Sequence, residues 1–193
     1  MSETGNKRIN EIIEAAINEF IEKGYEDASM ESIAKRANLS KGGLYHYFKS
    51  KAEVLFMVNM KFLEPIQDFM VQIDTNKSIV KGLNQFITNY LSYWNKHKRE
   101  LTLYFIIMNV AFEDQRIMKL YKESARQNFD YFEALFLKGQ QQGVFREIDA
   151  HAHAVALLSC LDGYIGYLLI DPSLQLDRIE KVIQNIFIKD LLK

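Results

Sequence analysis

From Lys41 to Lys51 the chain reads KGGLYHYFKSK, an acid-free run in which ammonium groups (Lys41, Lys49, Lys51), phenols (Tyr45, Tyr47) and an imidazole (His46) accompany paired glycines (Gly42, Gly43). Groups of these types in this pattern can bind nucleic acid. An ammonium donates to guanine O6 or N7, an imidazole donates or accepts at a base edge, and phenols and ammonium groups suit phosphate oxygens. Glycines at a helix start leave backbone N–H groups uncovered, where the dipole favours an anionic partner. The chain has no H-E-x-x-H, no glycine-rich phosphate loop after a strand and no evident nucleophile–base pair, so an enzyme is not expected. His151 and His153 stand two apart, wrong for one helical face, and the single cysteine, Cys160, offers neither disulfide nor zinc motif. Neither a metal nor a cofactor is expected, and Cys160 reads as a small buried hydrophobe.

The charge balance is near neutral, −1 from 24 basic and 25 acidic residues, which excludes a protein that coats nucleic acid by bulk positive charge. The distribution is more telling. Lys35, Arg36, Lys41, Lys49 and Lys51 follow Ser32 with no intervening acid, whereas Glu11, Glu14, Glu19, Glu22, Glu26, Asp27 and Glu31 crowd the preceding stretch. A local basic footprint suits a small groove-reading module. The charged N-terminus lacks the apolar stretch of an export signal, and the most apolar windows, 101–112 and 154–170, fall short of the roughly 20 residues of a membrane span. A cytoplasmic protein with no membrane partner is expected.

The elements that must position this run read as helices. Two prolines, nine glycines and helical apolar spacing almost throughout 193 residues indicate an all-α chain of about nine helices. Ile9, Ile12, Ile13, Ala16, Ile17, Phe20 and Ile21 form one stripe that Gly24 can end in left-handed geometry. Ser29 can cap a second helix over 30–37, and Ser40 a third over 41–48. Asn38, the non-glycine residue most tolerant of positive φ, permits a tight turn between them. Ser50-Lys51-Ala52-Glu53 has capping-box spacing and opens a fourth helix over 51–73, with a kink expected near 62–64 from Pro65. Further helices are expected over 79–94, 100–112, 117–141, 150–170 and 175–192, with Asp171-Pro172 among the breakers.

Met30, Ile33, Ala34 and Ala37 supply one face of the second helix, Leu39 fills the turn, and Leu44 and Phe48 hold the third helix down. Lys41, Gly42, Tyr45, His46 and Lys49 are left facing outward, the arrangement of a helix-turn-helix that lays its second helix in the major groove.

SMESIAKRANLSKGGLYHYFKSKAEVL resembles the DNA-binding motif of the tetracycline-repressor (TetR) family, whose K-G-(small)-L-Y-x-(aromatic)-F-x-x-K-x-x-L pattern it follows almost throughout. The resemblance covers about residues 8–56 in sequence and the remainder in helix number and length. It implies a DNA-binding domain over 1–50 and a larger helical ligand-binding and dimerisation domain over 51–193. It also implies base contacts from Lys41, Gly42, Gly43 and His46, and phosphate contacts from Tyr45, Tyr47, Lys51 and Ser29. Gly43 replaces the family's usual Ser, Thr or Ala, which removes one base contact and shifts specificity toward DNA shape. Asn38 replaces its usual Gly.

Beyond the motif, Phe62, Phe69, Tyr90, Trp94, Tyr104, Phe105, Met108, Phe129 and Tyr164 are candidates to line a pocket, with Asn89, Asn109, Asp130 and Asp162 as polar groups. An ordinary helical core accounts for the same aromatics, and both readings stand. Asp162 lies within an otherwise apolar helix, so it must pair, cap or meet a ligand. Ser159, Gly163 and Gly166 form a small-residue strip, and Ile179, Val182, Ile183 and Ile186 stripe the last helix. Close packing within the chain is the plain reading. The resemblance implies instead a four-helix homodimer interface, a palindromic double-stranded operator and a small hydrophobic effector that tilts the fourth helix to release DNA. A ligand-independent DNA-bridging protein is the alternative.

Overall fold

The computed structural model describes residues 3–171 and 173–193; Pro172, expected as a breaker, lies outside the described residues. The fold is all-α, as expected. Among the described residues the helices are α1 (Glu3–Lys23), α2 (Met30–Arg36), α3 (Lys41–Tyr47), α4 (Lys51–Thr75), α5 (Ile79–Lys96), α6 (Lys98–Glu113), α7 (Gln115–Gln141), α8 (Ala150–Ile170) and α9 (Leu176–Phe187). The last helix stops five residues short of the expected end. Lys189–Leu191 form a 3-10 turn, and the terminus folds back so that Arg146 N donates to Leu191 O at 2.8 Å, an isolated extended pairing that a helix to 192 would forbid.

Two compact units share these helices. The first comprises Met1–Glu64 and Thr102–Lys119, the second Pro65–Leu101 and Leu120–Lys193. α4 is one helix across Pro65, and the division between units falls between Glu64 and Pro65.

In the first unit α1 buries Ile12, Ile13, Ala16 and Phe20, and Gly24 ends it at φ +82° with its N–H on Phe20 O at 2.9 Å. α4 buries Val54, Leu55 and Val58. Asn59, 2 % exposed, joins α4 to α6 by donating from Nδ2 to Leu103 O at 3.4 Å. In the second unit Phe86 of α5 meets Phe132 of α7 with ring centroids 4.9 Å apart, and Trp94 is fully buried. Thr88 donates to Glu180 Oε1 at 2.6 Å, and Gln184 Nε2 reaches Thr88 Oγ1 at 3.2 Å, fixing α9 against α5.

α8 is, among the described residues, the one helix long and apolar enough by length and composition to cross a membrane, which corrects the expectation that no segment qualifies. Its extra length comes from Ala150–His153, capped by Asp149, whose side chain accepts from Ala152 N at 2.9 Å. In this fold α8 buries Ala154, Leu157, Leu161, Ile165 and Leu168 inside its own unit.

Candidate nucleic-acid interface

Local capping chemistry sets the two reading helices. Ser29 Oγ accepts from Ser32 N, and Ser32 Oγ accepts from Ser29 N, both at 3.0 Å, so the reciprocal box uses Ser32. Ser40 Oγ accepts from Gly43 N at 3.1 Å and starts α3. Between them Asn38 takes φ +54°, and Leu39 N donates back to Ala34 O at 2.8 Å. Met30, Ile33, Ala34, Ala37, Leu44 and Phe48 are buried, the expected locking core. Burying the Met, Ile, Leu and Phe side chains among them contributes roughly 1.5–3 kcal/mol each, enough to hold two seven-residue helices that would not persist alone.

That packing turns Lys41, Gly42, Tyr45, His46 and Lys49 outward. Tyr45 is 38 % exposed, and His46 makes an edge contact with the half-buried Tyr47 at 5.3 Å. A methyl group at Gly42 would meet nothing within 4 Å, whereas at Gly43 it would lie 3.2 Å from Ser40 Oγ and 3.4 Å from Leu39 Cδ2. Gly42 thus opens the helix face, while Gly43 also accommodates its own cap. Lys41 reaches Glu31 only at 4.0 Å with both side chains exposed, a geometry worth little in water.

Two basic residues of the sequence footprint bond to groups of the protein itself. Arg36 donates from Nε to Glu19 Oε2 at 2.9 Å and from its terminal nitrogens to Glu22. Glu19 is 1 % exposed, and the hydrogen bond from Lys23 Nζ, 2.5 Å, is the largest cause holding its carboxyl below the usual range; Ser32 and the Arg36 charge add to it against the cost of burial. Glu19 follows Ile12 and Ala16 along the buried stripe of α1, and an acid on such a face is the sequence signal that a cation partner exists. Lys51, expected at a phosphate, spends its ammonium on Tyr25 O (2.6 Å), Ala28 O (3.0 Å) and Glu26 O (3.1 Å). Arg8, not singled out from sequence, donates to Asn38 O at 3.1 Å and braces the left-handed turn.

The expected pocket residues divide between the units. Phe62, Tyr104, Phe105, Met108 and Asn109 belong to the first; Phe69, Tyr90, Trp94, Phe129, Asp162 and Tyr164 belong to the second. Asn109 is exposed and lines a surface groove with Tyr25, Lys51 and Glu113. Within the second unit Tyr90 OH donates to Asp162 Oδ1 at 2.5 Å. Burial pushes the Asp162 carboxyl up, partly opposed by that hydrogen bond. The Tyr164 hydroxyl is buried without a hydrogen-bond partner. Asn89 instead accepts from Gln85 at 2.8 Å, and Asp130 faces Arg126 at 3.8 Å, each along its own exposed helix face.

On α8 and α9, Ser159 and Gly163 are exposed, Gly166 and Ile179 half-buried, and Val182 and Ile186 each 51 % exposed. Ile183 is 2 % exposed and belongs to the core of its own unit, because the α9 stripe is broad enough to divide between an inner and an outer face. Cys160, expected buried, is exposed on the same outer face as Ser159, Gly163 and Tyr167, since the core side of α8 is filled by Leu157, Leu161 and Ile165. His151 pairs with Glu133 at 2.8 Å, and His153 Nε2 lies 3.1 Å from Phe187 O, so the two imidazoles serve different elements.

Residues 12–58 match the sequence profile of the bacterial regulatory proteins, tetR family. The biofilm operon icaADBC HTH-type negative transcriptional regulator IcaR of Staphylococcus epidermidis is 27 % identical over 95 residues, covering 49 % of this chain and 50 % of the relative. The chain thus matches about half the length of that curated relative. The TetR-family regulator PfmR of Thermus thermophilus superposes with a TM-score of 0.70 at 23 % identity, covering 92 % of this chain and 97 % of its own. AibR, solved with isovaleryl coenzyme A and operator DNA, gives 0.70 at 20 % identity over 94 % of this chain and 98 % of its own. The helix-turn-helix is built on residues that match the tetR-family profile, and the chain has the fold of these solved regulators.

Proposed function

We propose that the chain is a ligand-responsive repressor that binds a palindromic operator as a homodimer and is released by a small hydrophobic effector. The observation that carries the DNA-reading part is the outward row Lys41, Gly42, Tyr45 and His46 on a helix locked by Leu44 and Phe48. In this reading Lys41, His46 and the backbone at Gly42 and Gly43 meet base edges, and Tyr45, Tyr47 and Ser29 meet phosphates. The exposed strip of Ser159, Cys160, Gly163, Tyr167, Val182 and Ile186 supports two-fold pairing through α8 and α9. The IcaR relative is named as a negative regulator, which supports repression, and AibR was solved with isovaleryl coenzyme A, which supports a small-molecule effector. The protein works in the cytoplasm with no catalytic role.

Selection from a pool of random duplexes tests this reading. An inverted repeat is recovered, and its affinity falls steeply between low and moderate salt. Equal binding to all duplexes, or affinity indifferent to salt, refutes operator recognition. A thermal-shift screen of acyl compounds, lipophilic cations and antibiotics tests the effector: a ligand at 100 times its Kd adds about 2.7 kcal/mol. Operator binding that no stabilising compound weakens refutes the ligand-responsive part.

A further inference from the structure

We infer that Lys51 is a positioning residue that fixes the entry to the reading helices, and that it makes no phosphate contact. It is the first residue of α4, at the positive end of the helix dipole, where a cation is disfavoured. Three carbonyl acceptors offset that cost. The ammonium has three donors, and Tyr25 O, Glu26 O and Ala28 O lie at 2.6, 3.1 and 3.0 Å. Nζ also stands 4.3 Å from the centroid of the Tyr25 ring. These carbonyls belong to the link that leaves α1 at Gly24 and delivers the chain to the Ser29 cap of α2.

The surroundings argue the same way. Lys51 lies in a groove lined by Tyr25, Glu26, Asn109, Glu113 and Asp114, three of them acids. A phosphate entering that groove meets like charge, whereas an ammonium is held there. The neutral phenol of Tyr25, pushed up to about 12 first by burial and then by Glu26, Glu113 and Asp114, keeps the ring beneath the cation across the working range. Lys51 therefore ties the α1–α2 link to α4 in a groove whose other wall is α6. Its influence on DNA runs through the placement of α2 and α3.

The inference rests on the operator-binding reading for one readout and is independent of it for the other. Lys51→Met keeps the aliphatic stem on Tyr25 and removes the ammonium. Its Tm falls by about 5 °C, and operator affinity falls roughly tenfold at every salt concentration, leaving the slope of log affinity against log salt unchanged. A slope shallower by about 0.9 for each lysine lost, or an unchanged Tm, overturns the inference. Lys51→Arg is the second variant and keeps the charge. A planar guanidinium cannot reproduce the tripod of carbonyl bonds, so its Tm also falls; wild-type Tm and affinity in this variant overturn the inference. If wild-type protein selects no duplex, the operator reading fails while the Tm of both variants still decides whether Lys51 holds the link.

Discussion

Replacing Gly42 with Ala separates what is good for α3 from what is good for DNA binding. A β-carbon at position 42 meets nothing within 4 Å, and no positive φ is recorded there, so alanine fits without strain. Removing the glycine lowers the entropy of the unfolded chain and stabilises the first unit by about 0.5–1 kcal/mol, a rise of roughly 1–4 °C for a chain of this size. Gly43→Ala is the internal control. Its β-carbon lies 3.2 Å from Ser40 Oγ, so the cap must yield by a few tenths of an ångström and the same propensity gain is largely cancelled. If the open face at Gly42 is where base edges approach, Gly42→Ala also weakens operator affinity by about tenfold or more, because a methyl group replaces close backbone approach. Thermal unfolding with hydrogen exchange of the α3 amides reads the first effect, and titration of a selected duplex reads the second. A stabilised variant that binds as tightly as wild type refutes Gly42 as a point of contact; a variant with no gain in α3 protection refutes the idea that glycine is kept there at a cost.

The buried acid and the outer face of α8 give two further tests. Burial raises the Asp162 carboxyl, so the native state holds its proton to higher pH than the unfolded chain and stability falls as pH rises through that window. Asp162→Asn keeps an acceptor for Tyr90 and removes the charge. Urea denaturation therefore shows the variant more stable than wild type at pH 7, with the gap closing as pH falls toward the ordinary aspartate range; a gap that does not change with pH refutes the burial argument. Cys160 is exposed, with its thiol pushed up by partial burial, and lies beside Gly163. Maleimide labels it slowly at concentrations where the protein is dimeric and quickly in a Val182→Asp variant, which places a carboxylate on the proposed interface. Equal labelling rates, with dimers still present in both, rule out that face.

What the sequence revealed and what it hid differ by range. Gly24, Asn38, Ser29 and Ser40 act on backbone groups within a few residues, so their left-handed conformations and caps were legible before any packing was considered. Even here a detail escaped: Glu53 accepts from Lys49 N at 2.6 Å, one residue before Ser50, because α4 begins at Lys51 with Ser50 already capping Glu53 N. The internal bonds of Arg36 and Lys51 were hidden for another reason. Their partners lie 14–17 and 23–26 residues upstream, and a cation in a basic run looks alike whether its neighbour in space is phosphate, glutamate or carbonyl. The same holds for Cys160 and Ile183. Cys160 lies on a strongly apolar helix and Ile183 on an amphipathic one, where the pattern shows that a face is buried without showing which elements do the burying.

Internal use of Arg36 and Lys51 changes how recognition must work. Of the five basic residues from Lys35 to Lys51, the two that are best positioned by hydrogen bonds are committed to holding the domain together. Lys35, Lys41 and Lys49 are left on the exposed surface, and Lys49 Nζ already donates to Tyr45 O at 3.1 Å. If the chain binds an operator as proposed, the salt dependence of its affinity is carried chiefly by Lys35, Lys41 and Lys49 of each protomer. Gly42 and Gly43 contribute no side-chain readout, so in the proposed function direct discrimination falls chiefly to Lys41 and His46. Two such sparse readers distinguish an operator from random DNA mainly by being held at a fixed separation and angle, since a second half-site multiplies specificity only if both helices fit at once. On this reading the demand for rigidity explains why Arg8, Arg36 and Lys51 serve the scaffold: Arg8 on the Asn38 turn, Arg36 on α1, and Lys51 on the α1–α2 link each remove freedom from the recognition helix. Cations that could have bound phosphate contribute to affinity indirectly, by lowering the entropy lost when the helices meet the groove.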